Sequence, residues 1–80
     1  MRLGPWEQHR GREVRRDGHG WVRALVDNRE ERQAGWWVGW SEGRQTVGPE
    51  TGAAGRDAAD RAARAMGWEL QDDEEATDAT

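Results

Sequence analysis

The side chains of this chain that could do chemistry are few. They are His9 and His19, a single serine at Ser41, and the adjacent carboxylates Glu30 and Glu31. Two histidines far apart, with no acid-rich loop of ligand spacing beside them, do not describe a metal site. Ser41 stands outside a G-x-S-x-G setting and has no base nearby in sequence, so nucleophilic catalysis has no support. Neighbouring carboxylates in a polar loop face water more readily than they divide acid and base roles. With no cysteine, thiolate ligation, disulfides and a cysteine nucleophile are also excluded. The glycines between Gly48 and Gly55 precede a helix but lack the Lys and Ser/Thr of a phosphate cradle. No enzyme activity, metal or cofactor is therefore expected.

The residues left over suit contact instead. Six tryptophans occur in 80 residues, while Phe and Tyr are absent and every basic residue is arginine. Fully burying one indole removes about 150–250 Å² from water, worth roughly 4–6 kcal/mol before entropy is counted. A few rings could thus replace a larger aliphatic core in a chain near the lower size limit for independent folding. The thin margin makes a homodimer a fair expectation.

Charge is unevenly placed. Residues 1–47 hold nine arginines against seven carboxylates, and residues 48–80 hold three against nine, giving the overall −4. An acidic chain is a poor general ligand for phosphates and suits a basic protein partner better. Arg10, Arg12, Arg15 and Arg16 near Trp6 and Trp21 could form an aromatic and basic surface for single-stranded nucleic acid, but Glu7, Glu13 and Asp17 interrupt it. Carboxylates at Glu50, Asp57, Asp60, Glu69 and Asp72, Asp73, Glu74 and Glu75 are the candidates for docking on a basic surface, with Trp37 as the anchoring ring.

Those residues need elements to carry them. Gly35–Ser41, G-W-W-V-G-W-S, reads as a strand with Trp36, Val38 and Trp40 on one face and Trp37 on the other. Before it, Asp17-Gly18-His19-Gly20 marks a tight hairpin turn into a strand over 21–27, with Val22, Ala24 and Val26 on one face. Residues 7–16 read as a charged edge strand, and 45–47 as a brief further strand. Residues 53–66 change to helical period. Ala54, Ala58, Ala62 and Ala65, joined by Ala59, Ala63 and Met66, form an apolar stripe, with Thr51 as cap and Gly67 as stop. Asp57 with Arg61 and Asp60 with Arg64 have the spacing of favourable helix pairs.

An alanine face lets the helix approach a sheet closely, with Trp36, Val38 and Trp40 filling the gap. Trp68-Glu69-Leu70 is expected to close one end of the core. The expected fold is α+β, a small antiparallel sheet of three to four strands on one C-terminal helix. It occupies residues 1–70 as a single domain and is followed by a disordered acidic tail over 71–80. The open side of the sheet, with Trp37 and Trp21, would be covered by the N-terminal segment or by a dimer mate. No leader or membrane-spanning run is read near Met1.

In arrangement, D-G-H-G-W-V-R-A-L-V-D, then G-W-W-V-G-W, then A-A-D-R-A-A-R-A-M-G-W-E-L resembles the short β-then-helix proteins carried by phages and prophages of GC-rich bacteria. Within that group the chain is most similar to anti-CRISPR inhibitors of type I systems, type I-C among them. The resemblance implies a stoichiometric inhibitor in the bacterial cytoplasm that docks on a Cas subunit and blocks recruitment of target DNA, without itself binding nucleic acid or membrane. Three strands before an alanine-rich helix also resemble the antitoxin domain of HicB type, whose partner is a small RNase toxin, although the P-G-C stretch of that family is missing.

Overall fold

The computed structural model describes residues 1–29, 34–40 and 43–71. Its elements run β1 (Arg2–Leu3), β2 (Glu7–His9), β3 (Arg12–Arg16), β4 (Val22–Asp27), β5 (Gly35–Gly39), β6 (Gln45–Gly48), α1 (Gly52–Ala65) and β7 (Glu69–Leu70). β2 to β6 form one antiparallel sheet in sequence order, and β1 pairs with β7 in parallel. The fold is α+β, one helix on one face of the sheet. Five strands replace the expected three to four because residues 7–16 are a hairpin: Arg10 (φ 57) and Gly11 (φ 83) turn the chain, and Glu7 pairs with Val14.

The strand-to-strand register sorts the side chains. Glu13, Val26, Trp36 and Gly48 lie in one row across the sheet, and Arg15, Ala24, Val38 and Thr46 in the next. Opposite residues share a face, and these rows face α1. The core beneath the helix contains Ala24, Val26, Trp36 and Val38 from the sheet, Ala58, Ala59 and Ala63 from the helix, and Leu3 from the N-terminus. The helix comes closest at Gly55, where a β-carbon would meet the Glu50 carbonyl at 2.7 Å and Val26 Cγ1 at 2.9 Å. Its buried stripe runs through Gly55, Ala58, Ala59 and Ala63, whereas Ala54 and Ala65, expected in the stripe, are exposed.

Both helix ends follow local chemistry, one of them not as expected. Thr51 stands at the N-cap but its side chain makes no capping bond. The Gly52 N–H instead donates to Asn28 Oδ1 at 2.7 Å, so the residue that follows β4 supplies the acceptor that the first helical turn requires. At the other end Gly67 (φ 86) takes the left-handed conformation. Its N–H donates to the Arg64 carbonyl (2.9 Å) and that of Trp68 to the Ala63 carbonyl (3.1 Å), the Schellman pattern.

Trp40 is less buried than expected. The strand ends at Gly39 (φ 144), and Trp40 is 41 % exposed at the sheet margin. It meets Trp68 edge to face at 5.7 Å and carries the Arg23 guanidinium over its ring at 4.4 Å. Trp36 is buried beneath the helix as expected. The N-terminal segment, expected as a cover for the open side, goes to the helix side, where Leu3 is fully buried. Residues 30–33, Ser41, Glu42 and residues 72–80, with the docking carboxylates Asp72 to Glu75 and the tail expected there, lie outside the described residues.

Candidate protein-contact site

Two buried charges of β3, on the face toward the helix, govern what the surface has to offer. Glu13 and Arg15 are 5 % and 4 % exposed. Arg15 Nε donates to Asp60 Oδ1 (3.1 Å) and Nη2 to Asp60 Oδ2 (3.3 Å), while Nη1 donates to the carbonyls of Gly4 and Gln71, both at 2.7 Å. The Trp6 indole N–H shares Asp60 Oδ1 (3.2 Å), and its ring stacks 5.1 Å from the same guanidinium. Glu13 accepts from Arg56 (2.6 Å) and from Asn28 Nδ2 (2.8 Å). The strand's two charges thus cross over to two helix residues of opposite sign.

The charges expected at the surface are reassigned accordingly. Asp60, expected as a docking carboxylate and as partner of Arg64, is half-buried and held by Arg15. Of the arginines considered for nucleic acid, Arg15 is internal, Arg12 pairs with Asp27 (3.3 Å) and Arg16 with Glu7 (3.8 Å). Glu50 is exposed, and Trp36 donates its indole N–H to Glu50 Oε1 at 2.7 Å. That bond holds the carboxyl below its usual value. Asp57 and Glu69 are exposed. The described residues contain eleven arginines against eight carboxylates, a net of +3, so the chain's excess acidity belongs to residues outside them.

Asp17 shapes the β3–β4 turn. Its Oδ1 accepts the N–H groups of His19 (2.8 Å) and Trp21 (3.0 Å), and its Oδ2 accepts Arg23 Nε (2.9 Å). Burial pushes its carboxyl up, but the combined N–H donors outweigh burial and leave it lowered. The positive φ falls on Gly20 (91°) rather than on Gly18.

The other face of the sheet carries the row Glu7, Val14, Leu25, Trp37, Val47. Val14 is buried there, apart from the core cluster, Leu25 and Trp37 are half-buried, and Val47 is 65 % exposed. A groove of about 390 Å³ runs along it, lined by Arg12, Leu25, Asp27, Trp37 and Val47 among others. Asp27 in its lining is 6 % exposed and ionised, because Arg29 bonds both of its oxygens (2.9 and 2.8 Å) and Arg12 adds a further contact. Arg29 foremost keeps its carboxyl far below the ordinary range. The surface is an apolar and indole centre flanked by guanidinium groups, the composition that dominates protein contacts.

The structure therefore separates the expected contact residues. Trp37 is on the open face, Asp57 on the helix that packs against the opposite face, and Asp60 is half-buried against Arg15. What sequence reasoning missed was the groove itself, since Leu25, Val47 and Arg12 become neighbours of Trp37 only through strand register. Among the described residues no three His, Cys, Asp or Glu side chains are grouped to hold a metal, and no helix is long and apolar enough to cross a membrane. No family model matches the chain, and neither a curated protein nor a solved structure does.

The Asp27 cluster leads to a pH prediction. Its folded pKa lies below the unfolded value near 3.9, so its contribution is complete above that value and is lost as pH falls through the folded pKa. In thermal melts from pH 7 to pH 2, the wild type should lose stability below about pH 4, and Asp27→Asn should start less stable and show a shallower acid decline. An unchanged acid limb in the variant would mean that other carboxylates carry it.

Proposed function

We propose that the protein acts by contact, as a stoichiometric inhibitor of a type I CRISPR-Cas surveillance complex that docks on a Cas subunit and keeps target DNA from being recruited. The single observation behind a contact role is the open sheet face, where Trp37 lies half-buried in a groove between Leu25 and Val47 with Arg12 beside it. An indole so placed can lose its remaining exposure to a partner while its position is already fixed by two neighbouring strands, which limits the entropy lost on binding. The choice of target rests on the arrangement of hairpin, Trp-rich strand and alanine helix, and on the carboxylates Asp72 to Glu75, which would occupy a surface built to attract phosphates.

The test is target-DNA binding by a purified type I complex with increasing amounts of the protein. Inhibition should saturate near equimolar ratio. Trp37→Ala should weaken it by on the order of 30-fold, the effect of losing a hot-spot ring, while far-UV circular dichroism stays unchanged. DNA binding that is unaffected by a large excess of the protein would remove the reading.

A further inference from the structure

The two edges of the five-stranded sheet are built differently. β2 is three residues long and carries Glu7 and His9, the short and charged kind of edge that resists pairing. β6, Gln45–Gly48, has no charge, is exposed along most of its length and shows Val47 at 65 % exposure. Nothing among the described residues pairs with its outer side.

The phase of the β5–β6 ladder fixes which groups are free. The Trp40 N–H donates to the Arg44 carbonyl at 3.3 Å. Alternation then makes Val38 with Thr46, and Trp36 with Gly48, the pairs that exchange ladder bonds. The main-chain groups of Gln45 and Val47, and the carbonyl of Pro49, consequently point away from the sheet. Pro49 has no N–H to leave unpaired at this edge.

We infer that this edge is where a second copy of the chain binds, β6 against β6 and antiparallel about a two-fold axis at Val47. In that register each Val47 N–H donates to the other copy's Val47 carbonyl, and each Gln45 N–H donates to the other copy's Pro49 carbonyl. Four hydrogen bonds form and no donor is stranded. The same register sets Arg44 opposite the second copy's Glu50, twice over. Arg44 is exposed and has no carboxylate partner among the described residues, and Glu50 is exposed, bonded through Oε1 to Trp36 and within the electrostatic reach of Arg61. This match of a segment with its own reversed copy, in hydrogen-bond phase and in charge, is what selects a second copy over a foreign strand. Opposite residues share a face, so the two Val47 side chains meet on the open side, and the rows Leu25–Trp37–Val47 join into one surface.

The test uses the full chain in sedimentation equilibrium, with amide exchange alongside. The wild type should approach twice its 9.1 kDa mass with rising concentration, with the Gln45 and Val47 amides gaining protection in step. Val47→Pro should fold, because the N–H it removes faces solvent in the single chain, and should halve the mass at the same concentration. Arg44→Glu should also weaken association, and more so at low salt, where like charges repel most. A wild type that stays at 9.1 kDa up to its solubility limit would overturn the inference. So would a dimer that persists in Val47→Pro.

Discussion

Replacing Arg15 with alanine is expected to remove most of the stability of the fold, roughly 3–5 kcal/mol, the cost of breaking a buried ion pair by removing one partner. A chain of this size has little more than that in reserve. The loss has three separable parts. Asp60, at 17 % side-chain exposure, loses its guanidinium partner. The carbonyls of Gly4 and Gln71 lose the Arg15 donor, at about 1–3 kcal/mol for each that stays dry. Trp6 loses the cation under its ring. Urea denaturation of three variants separates them. Arg15→Ala should be worst, and Asp60→Asn milder, because an amide oxygen can still accept from Arg15 and Trp6. Arg15→Met with Asp60→Leu should recover only part of the loss, since no donor then reaches the two terminal carbonyls. Amide exchange should rise at residues 2–4 and 69–71 in both Arg15 variants, because Arg15 ties the β1–β7 pair to the helix. An Arg15→Ala protein within about 1 kcal/mol of wild type, the scale of an exposed pair, would show that the latch does not hold.

That cluster also marks where the sequence could be read and where it could not. The helix was legible because alanines at helical spacing leave one face to bury, and the Trp36 and Val38 face because strand alternation admits only two choices. Trp37 on the opposite face followed from the same rule. Glu13 and Arg15 were misjudged because charge within a strand ordinarily signals exposure. A usable signal was nevertheless present. Residues two apart in a strand are about 6.7 Å apart, and residues four apart in a helix about 6 Å. Glu13 and Arg15 therefore match Arg56 and Asp60 in spacing, with signs crossed. Pairing them requires knowing that β3 lies beneath α1, which is a tertiary fact. Trp40 is not buried for a local reason: β5 ends at Gly39 (φ 144), so the ring lies at the sheet margin against Trp68 and not beneath the helix. Arg10 hid the first hairpin, since a non-glycine residue at φ 57 gives no warning in sequence. The groove beside Trp37 depends on the register of four strands, and no single segment contains it.

Gly48→Ala is expected to cost about 1–3 kcal/mol, the range for overpacking a filled site, although it adds a single methyl to an edge strand. Gly48 is opposite Trp36 in the β5–β6 register, and the indole lies across it, so a β-carbon would collide with Nε1, Cε2 and Cζ2 of the ring. The ring is held at both ends. Its N–H is bonded to Glu50 (2.7 Å) and its body is packed in the core with Val26 and the helix. Moving it would break a hydrogen bond worth about 1 kcal/mol and open space beneath α1. The control is Gly18→Ala, where a β-carbon meets nothing within 4 Å and stability should stay within about 0.5 kcal/mol. In thermal melts the difference corresponds to a drop of about 4–8 °C per kcal/mol for a domain of this size, accompanied by a change in near-ultraviolet circular dichroism as the indole shifts. Trp36→Leu supplies the closing arm of a double-mutant cycle. A smaller side chain vacates the collision, so Gly48→Ala should cost markedly less in that background than in wild type. If the two costs are simply additive, the ring and the glycine are not in rigid contact, and the absence of a side chain at 48 answers to the backbone of the edge strand instead.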